Sequence, residues 1–134
     1  MIRLLTVSTN NKVEFQNITR AVQETVDSIR VESGICYLSI PHTTAAIILA
    51  DQSDPNIIGD IASQLEVIVP QHGNYQHIEG NSPAHIKASL CGNSAILSIE
   101  GSALVLGIWQ GIFLCEFDGP KIRNVYVKIV PDSR

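Results

Sequence analysis

Imidazole and cationic side chains gather in the middle of this sequence. His42 opens the run His42-Thr43-Thr44-Ala45-Ala46-Ile47, His72 and His77 lie in a polar stretch, and His85 and Lys87 follow Ser82-Pro83. Neutral imidazole binds metal ions and exchanges protons near neutral pH. Zinc on three histidines with one open position is a known catalytic arrangement. His42, His77 and His85 are therefore the candidate ligand set. None of these pairs has the i, i+4 separation of a helical metal motif, so spacing alone does not assemble the site. His72, beside Gly73, reads as solvated.

Ser82-Pro83 is an N-cap-plus-proline signal, which puts His85 near the positive end of a short helix. That field opposes protonation and keeps imidazole in its metal-binding form. Ser89, four residues on, shares its face. The plainer alternative is that His85 covers the helix end. Lys87, Lys121 and Arg123 are candidate anion binders, assisted by the N–H groups of that helix. Lys121 reads more simply as a surface charge. Arg123 alternates with Val125, Val127 and Ile129, and Glu116 with Ile112 and Leu114, so both point to the apolar side of a strand. Charges there need partners. A Glu116–Arg123 pair across the last hairpin would serve, as structure or as part of a site.

These residues need a frame. Arg3 to Ser8 reads as a strand, with Lys12 to Asn17 as the second strand of the same hairpin. Ile18, Val22, Val26 and Ile29 trace one face of a helix, which Gly34 stops. Ile35 to Pro41 and Thr43 to Leu49 suit strands. Asp54-Pro55 starts a second helix with the stripe Ile57, Ile58, Ile61, Leu65 and Ile68, ended by Pro70. Residues 71–81 form a loop, and a third helix runs from Pro83 to Cys91 with Gly92 as its stop. Ser94 to Ile99, Ala103 to Trp109, Ile112 to Phe117 and Ile122 to Val130 are strands divided by turns. Trp109 reads as core. Helices set apart from a large antiparallel sheet mean an α+β fold in one domain spanning 1–134.

The chain has 134 residues, a net charge of −4 and 16% charged residues. That charge share is below the usual ~25%, which suggests surface hidden in an oligomer. No basic cluster exists to bind nucleic acid. No apolar run approaches the ~20 residues of a membrane span. No signal peptide is visible. The three cysteines, Cys36, Cys91 and Cys115, lack metal or redox spacing and read as small buried hydrophobes in a reducing, cytoplasmic setting.

Pro41-His42-Thr43-Thr44-Ala45-Ala46-Ile47 with Asp54-Pro55 and Asp60 resembles the first signature of the YjbQ-like family. Tyr75-x-His77-x-x-Gly80-Asn81 running into His85-Ile86-Lys87-Ala88-Ser89-Leu90-x-Gly92 resembles the second. Leu106-Gly107-x-Trp109-Gln110-Gly111-Ile112, through Cys115-Glu116-Phe117-Asp118-Gly119-Pro120 to Arg123, resembles the third. Ala50-Asp51 stands where the family often has Asn-Glu, and Lys121 where it often has Arg.

The resemblance implies an α+β fold, a homotrimer, and a polar pocket lined by His42, Asp60, His77, Asn81, His85, Lys87, Ser89 and Glu116. It suggests a divalent metal, zinc, on His42, His77 and His85. The implied activity is a weak thiamine-phosphate synthase reaction, in which a thiazole phosphate displaces pyrophosphate from a pyrimidine-methyl pyrophosphate. Lys87, Glu116 and Asp60 would then be catalytic, and Asn81, Ser89 and Arg123 would bind the phosphorylated substrate. Cations must gather where the leaving polyanion develops, and Glu116 or a neutral histidine would accept a proton. Two other readings are metal-assisted hydrolysis and a trimeric metal- or ligand-binding module without turnover.

Overall fold

The computed structural model describes residues 1–77 and 79–133. The elements run β1 (Ile2–Ser8), β2 (Glu14–Asn17), α1 (Thr19–Ile29), β3 (Gly34–Ser39), β4 (Ala45–Asp51), α2 (Pro55–Ile68), α3 (Ser82–Cys91), β5 (Ser94–Glu100), β6 (Ala103–Leu104), β7 (Gln110–Glu116) and β8 (Ile122–Pro131). They form two antiparallel sheets, ordered β1-β8-β3-β5-β6 and β2-β7-β4. The expected α+β class is what the chain adopts.

Alternation decides which side each strand buries. On β8, Arg123, Val125, Val127 and Ile129 face inward, and on β3, Cys36 and Leu38 join them. The small sheet supplies Ala45, Ile47, Ile112 and Leu114 to the same core, and α1 adds Val22 and Val26. The small sheet's other face carries Ala46 and Cys115, which pack with Phe117 against Ala84 and Ala88 of α3. Thus β7 is covered on both sides, which explains its unbroken apolar run. Small residues on both surfaces let α3 lie close to that sheet. Fully burying Val22 or Val26 stabilises the fold by roughly 1.5–3 kcal/mol each, as an upper estimate.

Several connections differ from the simple hairpins the sequence suggests. β1 pairs with β8 and β2 with β7, so the first two strands belong to different sheets. β7 and β8 also lie in different sheets, and Asp118-Gly119-Pro120 crosses between them rather than closing a hairpin. Gly119 is packed so tightly there that a Cβ would meet the Asn11 carbonyl at 2.2 Å. α1 ends at Arg30, which takes the left-handed conformation at φ 61°, and Gly34 instead begins β3. Local hydrogen bonding, not the nearest glycine, terminates this helix, since the Arg30 N–H reaches the Asp27 carbonyl.

β6 stops at Leu104. Gln110 Oε1 accepts from the Gly107 N–H at 2.7 Å, and the Gln110 N–H donates to the Gly107 carbonyl at 3.0 Å. That turn carries Trp109 out of the core to 63% exposure, correcting the expectation that it packs inside. Helix α2 starts as expected, with Asp54 accepting from the Asn56 N–H at 2.9 Å and Pro55 in the first turn. Its apolar stripe, however, buries no residue fully.

Candidate functional site: the histidine cleft

β3 ends at Ser39, paired with Tyr126 of β8. Beyond that point the edge of β8 loses its neighbour strand, and a backbone donor there needs an acceptor. The His42 side chain supplies it: Nε2 accepts from the Asn124 N–H at 2.9 Å. In the neutral ring the proton then sits on Nδ1. Burial, then the nearby Arg123 charge, pushes the His42 pKa below its ordinary value, against a smaller raising contribution from Glu116. His42 is therefore a neutral Nδ1–H donor. It offers no free lone pair to a metal, which removes it from the expected three-histidine ligand set.

Behind His42 lies a buried ion pair. Arg123 Nε donates to Glu116 Oε1 at 2.9 Å, and Arg123 Nη2 contacts Glu116 Oε2. Arg123 Nη2 also donates to the Thr44 carbonyl at 3.1 Å and hydroxyl at 2.8 Å. Glu116 further accepts from the Thr9 hydroxyl at 2.7 Å and the Asp118 N–H at 3.1 Å. The pair expected across a hairpin instead joins the two sheets and clamps the segment two residues past His42. Burial raises the Glu116 pKa, but Arg123, Thr9 and the Asp118 amide outweigh it and hold the carboxyl below its ordinary value. A buried carboxylate with four donors is a poor proton acceptor. Glu116 and Arg123 are thus positioning residues, not the base and phosphate ligand expected from sequence.

Helix α3 divides the remaining residues. At about 100° per residue, His85 and Ser89 share one side and Lys87 points to the opposite one. His42, Thr43, Ala45, His85, Ala88, Ser89, Gly92 and Asn93 line a cleft of about 410 Å³. His85 also borders an adjoining depression with His77, Tyr75, Ser82 and Ile86. Ser89 Oγ donates to the His85 carbonyl at 2.8 Å, leaving its lone pairs toward solvent and cleft. Among the described residues, no group hydrogen-bonds the His85 ring.

The His77 and His85 ring centroids are 5.5 Å apart with planes at 86°. Two imidazoles on one tetrahedral zinc, with Zn–N near 2 Å, put their ring centres about 5 Å apart. The spacing suits a shared ion, and it also suits an edge-to-face aromatic pair. His77 Nε2 further lies 3.8 Å from Glu79 Oε2. Among the described residues, no group of three or more His, Cys, Asp or Glu is arranged to hold a metal. His77 and His85 are thus the two expected ligands that lie side by side, and among the described residues no third ligand joins them.

Other expected site residues lie elsewhere. Lys87, with a side chain 3% exposed, bonds Glu66 on the far side of α3 and sits 5.8 Å over the Phe117 ring. Asn81 is on that side too, donating to Asp118 Oδ2 at 3.0 Å. Lys121 pairs with Asp118 at 3.1 Å. Asp60 is exposed on α2. The three expected anion binders are thus each matched with a carboxylate. Glu66, Thr9 and Thr44 are supporting residues that the sequence did not single out. Thr44 stood within the His42 run, whereas Glu66 had no local signal.

Comparison with known proteins follows this architecture closely. The family model described as "UPF0047 protein YjbQ-like" matches residues 3–132. The chain belongs to the YjbQ-like UPF0047 family. A UPF0047 protein of Methanocaldococcus jannaschii is 42% identical over 127 residues, covering 95% of this chain and 92% of that one. The Bacillus subtilis UPF0047 protein YugU is 37% identical over 131 residues, covering 97% and 99%. A crystal structure of an uncharacterised conserved family protein from Clostridium acetobutylicum superposes with a TM-score of 0.93 at 44% identity, covering 96% of this chain and 99% of that one. A family member of unknown function from Sulfolobus solfataricus gives a TM-score of 0.93 at 30% identity, covering 98% and 97%. Among the described residues, no helix is long and apolar enough to cross a membrane.

Proposed function

We propose that the histidine cleft binds a small phosphorylated molecule and acts on it as an enzyme, with thiamine-phosphate synthase-type transfer as the reaction to try first. The observation that carries this reading is the convergence of His42, His85 and Ser89 on one cleft, with His77 beside His85. His42 presents an Nδ1–H that can donate to a phosphate or leaving-group oxygen. The Arg123–Glu116 pair holds that donor in place. The His85 ring can accept or donate a proton, and Ser89 offers lone pairs. His77 and His85 would hold a zinc ion, completed by ligands from outside this set. When bound, the metal would supply positive charge, which matters because Lys87, Lys121 and Arg123 are already paired.

The same reading includes a homotrimer. Its support is apolar surface left open on the chain: Val67 and Ile68 on α2, and Ile108 and Trp109 after β6, are 72%, 59%, 88% and 63% exposed. Light scattering of the purified chain tests the trimer. The activity is tested by pyrophosphate release from the pyrimidine-methyl pyrophosphate with thiazole phosphate present. Release that depends on both substrates and falls in His85→Ala supports the reading. Release unchanged in His85→Ala, or none with zinc supplied, contradicts it.

A further inference from the structure

The histidine cleft does not end at His85. The depression beside it, of about 470 Å³, shares His85 and is lined further by Asn74, Tyr75, Gln76, His77, Ser82 and Ile86. Ser82, His85, Ile86 and Ser89 stand at i, i+3, i+4 and i+7, so they share one face of α3. The two hollows are therefore two ends of one trough along that face, with about 10 Å of helix rise from Ser82 to Ser89. Their walls differ. The cleft end is polar, with the His42 Nδ1–H, Thr43, Ser89 and Asn93. At the other end Tyr75 and Ile86 supply apolar surface, and the Tyr75 side chain is tied down. Its hydroxyl donates to the Pro70 carbonyl, and its ring lies against Gly73, where a Cβ would meet a ring carbon at 3.0 Å. The first turn of α3 offers that end little to an anion. Pro83 has no N–H, and the Ala84 and His85 N–H groups both bond the Asn81 carbonyl. Among the described residues lining the two hollows, none is a carboxylate; Glu79, 3.8 Å from His77 Nε2, lies outside both linings.

We infer that Tyr75 and Ile86 form a subsite for a planar ring, so that the phosphorylated molecule taken by the cleft is an aromatic or heteroaromatic one. This rests on the phosphate reading of the cleft and adds what selects the rest of the molecule. The phosphate faces His42 and Thr43, the linking atoms pass His85, and the ring stacks on Tyr75 beside Ile86. Asn74 and Gln76, exposed at the rim, are placed to meet nitrogen or oxygen atoms on the edge of that ring. A sugar or polyol phosphate suits the trough less well, because its hydroxyls would lie against Tyr75 and Ile86 without partners. Tyr75 and Ile86 are thus specificity-determining residues, and neither takes part in bond making.

The test is isothermal titration calorimetry of the purified full chain with methyl phosphate, phenyl phosphate, benzyl phosphate and a ribose phosphate. The expected result is that phenyl or benzyl phosphate binds about tenfold more tightly than methyl phosphate, the scale of one buried aromatic contact. Tyr75→Ala and Ile86→Ala each reduce that advantage and leave the methyl phosphate affinity unchanged, which also shows that fold and cleft survive the substitution. Tyr75→Phe keeps the ring and retains the advantage. If no phosphate binds, the phosphate reading of the cleft fails and this inference falls with it. If methyl phosphate binds but phenyl and benzyl phosphate bind no more tightly, or the ribose phosphate matches them, the cleft reading stands and the ring subsite is overturned. A ring preference undiminished in both Tyr75→Ala and Ile86→Ala overturns it too. So does an equal loss of methyl and aryl phosphate affinity in both variants.

Discussion

The imidazole of His42 takes the place of a missing strand, with Nε2 accepting the Asn124 N–H at 2.9 Å where β3 no longer accompanies β8. One hydrogen bond thus fixes both the position of the ring and the nitrogen it shows to the cleft.

Substituting His42 tests this first. His42→Ala leaves the Asn124 donor without its acceptor and is expected to cost about 1–2 kcal/mol in chemical denaturation. The pH dependence follows from the burial of the same ring beside the Arg123 charge. The folded His42 pKa lies below its ordinary value, so the unfolded chain binds the proton more readily. The stability linked to this group is present above the unfolded pKa of about 6.5 and is lost as pH falls through the lowered folded value. Denaturant midpoints measured between pH 7 and pH 5 should fall, and His42→Ala should reduce that slope.

The Glu116–Arg123 pair makes a second, larger prediction. Glu116→Gln or Arg123→Met leaves one buried charge without its partner, which typically costs 3–5 kcal/mol. The double variant should recover part of that loss, read as the interaction term of a double-mutant cycle. Glu116 also contributes acid sensitivity. Its folded pKa is below the ordinary 4.5, so the stability it gives is present above 4.5 and fades as pH falls through the lowered value.

Much of the frame was legible because periodicity and caps are local. Val22 and Val26, Asp54-Pro55 and the alternation of β8 all correspond to elements in the fold, and Pro83 does stand in the first turn of α3, although Asn81 and not the expected Ser82 holds the N-cap position, without a side-chain cap bond. Strand partners were not legible, because the sheet a strand joins is decided by distant residues. The turn at Asp118-Gly119-Pro120 looks like a hairpin in sequence and is a crossover in space. For the site, His42, His85 and Ser89 line one cleft. Lys87 was grouped with them by proximity in sequence, yet two positions along a helix reverse the direction it faces. Its partner Glu66 is 21 residues away and carries no motif. The tautomer of His42 depends on the backbone of Asn124, which no side-chain pattern reports.

Gly119 offers a check on the crossover. A Cβ there would stand 2.2 Å from the Asn11 carbonyl, 2.8 Å from Glu116 Cγ and 2.9 Å from the Thr9 hydroxyl. Gly119→Ala is expected to destabilise the fold by roughly 1–3 kcal/mol, the usual cost of overpacking. It should also disturb the Asn124 and Thr44 amides, visible as chemical-shift changes around the ion pair.

The thiols should be inert in the folded protein. Burial pushes the Cys36 thiol up to about 11, and burial also raises Cys91 and Cys115. Since the thiolate is the reactive form, alkylation by iodoacetamide at pH 7.5 should be slow for Cys36 and Cys115 and become fast only in denaturant.

Histidine-selective ¹⁵N spectra recorded while zinc is added test the central claim most directly. If the cleft works as proposed, the ring nitrogens of His77 and His85 respond stoichiometrically, and His42 keeps its Nδ1–H throughout. His77→Ala/His85→Ala then abolishes the response. A zinc-bound nitrogen on His42, or no change at His77 and His85, would contradict the account.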